Sequence, residues 1–178
     1  MDFIAAIDDL TNAHSRPIIA IDGPAGAGKT TLAHNLFLAF SPSMKVQVIH
    51  MDDLYDGWEN ALSKDLSAVL GYLVDRHKKS LDFSLSTYNW EISKFNEAKN
   101  YHPSELLILE GVGCGQNSIR AEISALIWLE IAPQAGLQRV IARDGSAVAQ
   151  PMAQWLVMQN QHFADEHTQA EADFILST

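Results

Sequence analysis

A chain of 178 residues, 47% of them apolar, can bury one full core, and no run in it approaches the ~20 apolar residues of a membrane span. A formal net charge of −10 argues against a general nucleic-acid surface, while leaving room for a nucleotide held by a local cationic patch and a metal ion. The single cysteine, Cys114, excludes an internal disulfide and suits a reducing, cytoplasmic setting, and the opening MDFIAAIDDL has no basic region of the kind that begins a secretory signal.

Phe3, Ile4, Ile7 and Leu10 recur at helical spacing and predict a short helix over residues 3–14, packed beneath a sheet and closed by Pro17. Ile18 to Ile21 is a continuous apolar run, the pattern of a strand buried on both faces. It opens the most specific stretch of the chain, PIIAIDGPAGAGKTT, residues 17–31. Gly23, Gly28, Lys29 and Thr30 match G-x-x-x-x-G-K-[ST], with Pro24, Ala25, Gly26 and Ala27 between them and Thr31 after. In such a loop, backbone N–H groups and a helix N-terminus form a nest for phosphate oxygens. Lys29 supplies a point charge for the β- and γ-phosphates, and the Thr30 hydroxyl is placed to ligate Mg²⁺. The spelling therefore calls for ATP·Mg²⁺.

Leu32, Ala33, Leu36, Phe37 and Phe40 make one helical stripe ended by Ser41-Pro42. Val46 to Met51 reads as a second strand running into Asp52-Asp53-Leu54-Tyr55. Leu62, Leu66, Val69, Leu70 and Leu73 mark a long helix over 59–77. Residues 80–90 are polar and irregular, with Thr87, Tyr88 and Trp90 marking a short strand or substrate-facing loop, and residues 92–100 read as helical. Leu106 to Leu109 is a third strand, closed by Glu110-Gly111 and a second glycine loop, VGCG. A short helix over 117–124, a fourth strand over 126–131, a helix opened by Pro133, a further helix over 151–167 and a fifth strand over 173–176 complete the chain. Arg139 and Arg143, four apart, share a face of the Pro133 helix.

Alternation of strand and helix predicts an α/β fold: three layers, about five parallel strands, helices on both faces, one domain. Ligands in such sheets bind at the carboxyl ends of the strands, where the glycine loop, Asp52 and Glu110 fall. Transfer of a phosphoryl group to an alcohol needs a carboxylate to orient the hydroxyl and take its proton, which is the role expected of Asp52. Glu110 closes an apolar strand and is costly to bury without a partner, which marks it as functional.

The set IDGPAGAGKTT, MDDLY, TYNW, LILEG and RVIARDG resembles the P-loop uridine kinase and phosphoribulokinase group, over residues 17–176. The resemblance implies a kinase that moves the γ-phosphoryl of ATP·Mg²⁺ to a hydroxyl or phosphate acceptor such as a nucleoside or nucleotide. It implies a small acceptor-binding insert over about 54–103 and a lid over about 143–151. Asp52, in the element resembling Asp-x-Phe-Tyr, is then the catalytic base, with Lys29, Arg143 and Arg139 on the transferring group. Thr30, Asp52 and Glu110 are the metal candidates. Asp53, Tyr55, Tyr88, Trp90, Glu110 and Arg120 are the acceptor-side candidates. The chain departs from the group at Asn89, where uridine kinases carry Asp. It also lacks a histidine directly after the Tyr88 segment, where those enzymes use one, and further arginines in GSAVAQPMAQ, so the acceptor stays open. The alternative is a P-loop ATPase or nucleotide-binding regulatory protein without a small acceptor. A GTPase is disfavoured, because no Asn-Lys-x-Asp occurs. The expected partners are a nucleotide and a small molecule, with neither nucleic acid nor membrane, and the oligomeric state is left open.

Overall fold

The computed structural model of the protein describes residues 3–178. Helix α1 (Phe3–Asn12) leads into β1 (Ile18–Asp22), followed by α2 (Lys29–Phe40), β2 (Val46–His50) and α3 (Lys64–Lys78). Four short strands follow: β3 (Phe83–Leu85), β4 (Tyr88–Asn89), β5 (Lys94–Phe95) and β6 (Lys99–Tyr101). Then come β7 (Leu106–Glu110), α4 (Asn117–Arg120), β8 (Ala125–Glu130), α5 (Pro133–Asp144), α6 (Ala149–Glu166) and β9 (Phe174–Ser177).

Five strands form one parallel sheet in the order β2-β7-β1-β8-β9. Alternate side chains of β1 feed two cores. Ile19 and Ile21 pack with Ile7 of α1 and with Ala33, Leu36 and Phe40 of α2 on one face. Ile18 and Ala20 pack with Leu66, Leu70, Leu73 and Val74 of α3 and with Met152 and Trp155 of α6 on the other. This is the three-layer α/β arrangement that the alternation of elements predicts. Because β1 lies between β7 and β8, the chain reverses its direction of winding there. The carboxyl end of β1 is therefore the crevice where such sheets take ligands. No helix among the described residues is long and apolar enough to cross a membrane.

Three expectations need correction. Residues 92–100 are not a helix but parts of two small antiparallel sheets, β3 with β6 and β4 with β5. Ile92 and Phe95 are exposed, so a helix there would have had no covered face. Cross-strand rings hold the hairpins instead. Phe83 stacks on Tyr101 at 5.0 Å and Phe95 meets the edge of Tyr88 at 5.2 Å. The Asn89 side chain accepts N–H bonds from Glu91 and Ile92 and makes the turn. The long helix begins at Lys64 rather than 59, because Ser63 is still extended and Leu54, Tyr55 and Ala61 reach the core from turns. The helix after Gln116 spans only Asn117–Arg120. Of the expected insert, α3 belongs to the main core, and the small sheets lie beyond it.

Candidate active site

The strand-to-helix turn after β1 is shaped by close approach of other backbone. A Cβ on Gly23 would lie 2.2 Å from the Leu129 carbonyl oxygen, and one on Gly26 would lie 2.3 Å from that of Gly136. Both residues also hold positive φ, so glycine is required twice over. Behind the turn, α2 begins with no side-chain cap on its first N–H groups. Gly26, Gly28, Lys29, Thr30 and Thr31 border a cleft of about 880 Å³, so this uncapped end is turned toward it. An uncapped helix start on a glycine turn fits a phosphate group.

Asp22, fully buried, ties the loop to the second glycine loop. Its carboxylate accepts N–H bonds from Gly23 (2.8 Å), Gly113 (3.1 Å) and Gly115 (2.9 Å). Burial pushes its pKa up, and these bonds together with the Lys29 charge pull it back. Lys29 is buried too and donates from Nζ to the carbonyls of Gly23 (2.8 Å) and Pro24 (2.9 Å). Burial lowers its pKa, opposed by Asp22, then Glu110, then Asp52.

Glu110, at the end of β7, collects groups from three elements. Its Oε1 accepts from the Thr30 hydroxyl at 3.2 Å and lies 2.5 Å from Nδ1 of His50. The register of β2 against β7 places His50 directly beside it. The hydrogen bond with Glu110 raises the His50 pKa. Asp52 follows in a tight turn after β2 and lines the cleft, with part of the residue open to solvent. The surrounding walls raise its pKa by desolvation, Glu110 raises it further, and Lys29 and Arg143 oppose both.

Among the described residues no cluster of three or more His, Cys, Asp or Glu is set to chelate a metal. Thr30, Glu110 and Asp52 form a mixed hydroxyl and carboxylate edge. That donor set fits Mg²⁺, which keeps several waters and is shared with substrate phosphates.

Across the cleft, α5 presents Arg139 and Arg143. Arg139 donates to the Gly26 carbonyl and to the Thr178 hydroxyl, both at 3.3 Å. Arg143 makes a two-pronged pair with Asp144, at 2.6 and 2.7 Å, which raises its own pKa and lowers that of Asp144. The stretch 143–151 is the end of α5, a single 3-10 turn over Ser146–Val148 and the start of α6.

The structure brings Ala25, Gly26, Gly28, Lys29, Thr30, Thr31, Asp52, Tyr55, Trp90, Glu110, Arg139 and Arg143 together around one cleft. Other candidates stand elsewhere. Tyr88 is buried behind Trp90, ring against ring at 5.0 Å, and supports it rather than facing the cleft. Asp53 is half-buried outside the lining. Arg120 is turned away, with its guanidinium spent on the carbonyls of Gly115 and Glu166. Asp22, His50, Trp58 and Gln159 were not singled out by their residue patterns. Gln159 of α6 accepts the Ala25 N–H at 3.1 Å and so pins the phosphate-type loop from behind. Trp155 packs in the core and also borders the cleft. Asp22 was detectable by the argument used for Glu110, a carboxylate closing an apolar strand.

No family model matches the chain. It is 25% identical over 185 aligned positions to a uridine kinase of Lactobacillus johnsonii, covering 90% of this chain and 86% of that one. It is 28% identical over 109 positions to a tRNA dimethylallyltransferase of Clostridioides difficile, covering 58% of this chain but only 34% of that protein. Two solved structures share the fold nearly end to end. One is a possible uridine kinase from Bacillus stearothermophilus, with a TM-score of 0.66 at 21% identity, covering 99% of this chain and 100% of that one. The other is a putative fructose transport system kinase from Silicibacter sp. TM1040, with a TM-score of 0.70 at 18% identity, covering 98% of each. The chain thus resembles uridine kinase-like P-loop kinases in sequence and fold.

Proposed function

We propose that the protein is an ATP-dependent small-molecule kinase working with Mg²⁺. The observation that carries the reading is the placement of Asp52. It sits in the same cleft as the uncapped start of α2, opposite two arginines, with its carboxylate made more basic by its surroundings. An ATPase would also use a carboxylate to orient its water; what favours an acceptor is the room in the cleft beside Asp52, lined by Tyr55, Trp58 and Trp90.

In this reading the β- and γ-phosphates lie on the N–H groups of residues 26–31. Lys29 exchanges the carbonyls of Gly23 and Pro24 for phosphate oxygens. Thr30 and Glu110 would hold Mg²⁺, which when bound would supply positive charge to the phosphates. Asp52 orients the acceptor hydroxyl and takes its proton as the new O–P bond forms and the bond to the β-phosphate oxygen breaks, leaving ADP. Arg139 and Arg143 counter the charge on the transferring group once Arg143 leaves Asp144. His50 holds Glu110 in its orientation.

The test is ADP release with and without a panel of alcohols and nucleosides. Release that depends on an acceptor, and falls about 10²–10⁴-fold in Asp52→Asn with ATP affinity retained, is expected. Release indifferent to every acceptor and to Asp52→Asn points to the ATPase instead.

A further inference from the structure

We propose that the acceptor is an uncharged alcohol carried on a flat aromatic body, seated against Tyr55, Trp58, Trp90 and Trp155. The inference rests on the kinase reading only for the fate of the hydroxyl; the seat itself is argued from the walls of the cleft.

The aromatic wall stands on the Asp52 side. The Trp90 indole N–H donates to the Asp52 backbone carbonyl at 3.0 Å, and Tyr55 follows Asp52 by three residues. Tyr55 and Trp155 are buried at the back of this wall, while Trp58 and Trp90, tilted at 59° to one another, keep ring surface open. Trp58 lies 5.2 Å from Trp90 and 6.0 Å from Trp155, and Trp155 lies 5.3 Å from Tyr55. Val112, Val148 and Met152 complete the wall. The indole surface that Trp58 and Trp90 leave open favours a planar ring.

The polar handles of this wall are largely committed inside the protein. The Tyr55 hydroxyl donates to the Val112 carbonyl at 2.7 Å, and the Trp90 N–H is taken by Asp52. Trp58 and Trp155 can offer only indole N–H donors. Among the described residues lining the cleft there is no Asn, Gln, His or Ser side chain. The indoles offer a nucleobase edge N–H donors and no acceptor, so its own N–H groups would have to draw on the carboxylates that the reaction uses. A sugar would strand several hydroxyls against indole faces. The charged lining groups, Lys29, Asp52, Glu110, Arg139, Arg143 and Asp144, come from the loop, the strand ends and α5, and the aromatic rings come from other segments of the chain. An anionic acceptor would meet Asp52 and Glu110 with no cation of its own. A neutral aryl alcohol satisfies each constraint, placing its one hydroxyl at Asp52 and its ring on the indoles.

Calorimetric titration with 2-(2-naphthyl)ethanol, 2-phenylethanol, uridine and fructose, in the presence of a non-hydrolysable ATP analogue and Mg²⁺, tests this. Naphthylethanol binding tighter than phenylethanol, with both tighter than uridine and fructose, is the expected order. Trp90, 39% exposed on a surface hairpin, can be removed without emptying the core. Trp90→Ala should weaken naphthylethanol by about three- to tenfold and leave the ATP analogue unaffected. Uridine or fructose binding tighter than the aromatic alcohols overturns the inference, and so does failure of every aromatic probe to bind. Loss of ATP-analogue affinity in Trp90→Ala also overturns it, since the wall would then be holding adenine. ADP release separates the two readings. Naphthylethanol that binds through Trp90 but never raises ADP release sinks the kinase and keeps the seat. Uridine that raises it while the aromatic alcohols fail to bind keeps the kinase and sinks the seat.

Discussion

Lys29 and Asp22 are two opposite charges buried within one turn of chain, and their satisfaction differs. Asp22 takes three backbone N–H bonds, which with the Lys29 charge oppose the desolvation that still raises its pKa. Lys29 has only the carbonyls of Gly23 and Pro24, groups a phosphate oxygen can replace with a stronger, charge-assisted partner. The ammonium is therefore the movable member of the pair, and Asp22 the fixed one. Lys29→Ala should cost nucleotide affinity about 1.5–3 kcal/mol, at least about a tenfold rise in Kd, while the fold survives on the Asp22 network. Nucleotide titration of the variant checks this, and an unchanged Kd would show that the phosphates lie elsewhere. Lys29 was legible from spacing alone. Asp22 needed the further fact that its partners, Gly113 and Gly115, come from a loop ninety residues on.

At the scale of elements, what the sequence shows clearly is whatever is periodic or local. The five strands of the sheet, α2 and the apolar stripe of α6 all follow from spacing, because burial on two faces or one leaves a direct trace in residue order. The stretch 92–100 does not, since its strands are two or three residues long and held by rings that lie seven and eighteen residues apart. The site shows the same division. The loop residues are contiguous, whereas His50 meets Glu110 only through strand register and Gln159 meets Ala25 across 134 residues. That last contact joins the helix bearing Met152 and Trp155 to the back of the phosphate-type loop, so the position of α6 and the shape of the loop are coupled. Gln159→Leu leaves the Ala25 amide without its acceptor. An unfolding free energy lower by about 1–3 kcal/mol, with weaker ATP binding, is expected. Denaturant melts and nucleotide titration measure both, and wild-type values in both would mean that the amide finds another partner.

At the scale of the whole molecule, His77 fastens three distant segments. From the end of α3 its Nε2 lies 3.1 Å from the Pro17 carbonyl, at the entry to β1. Its Nδ1 lies 3.5 Å from the Ser104 hydroxyl, just before β7. A carbonyl only accepts, so Nε2 carries the proton and Nδ1 is left to accept from Ser104. That arrangement has no place for a second proton, and Arg16 and Lys78 oppose one. Burial, the largest cause, brings the His77 pKa down to about 4. In the unfolded chain it would return to about 6.5. The sign follows: below about 6.5 the unfolded chain binds a proton that the folded one refuses, so stability drains away as pH falls from about 6.5 to about 4 and then levels. Between pH 7 and pH 5 the loss due to His77 amounts to at most about 2 kcal/mol, and residual solvent contact reduces it. Carboxylates titrate over part of the same range, so the informative quantity is the difference from His77→Gln, which keeps a donor but cannot ionise. Urea unfolding at pH 7, 6 and 5 should show the wild type losing stability more steeply than the variant. Parallel slopes would mean that His77 accepts its second proton in the folded state, and that the joint between α3, β1 and β7 is looser than its hydrogen bonds require.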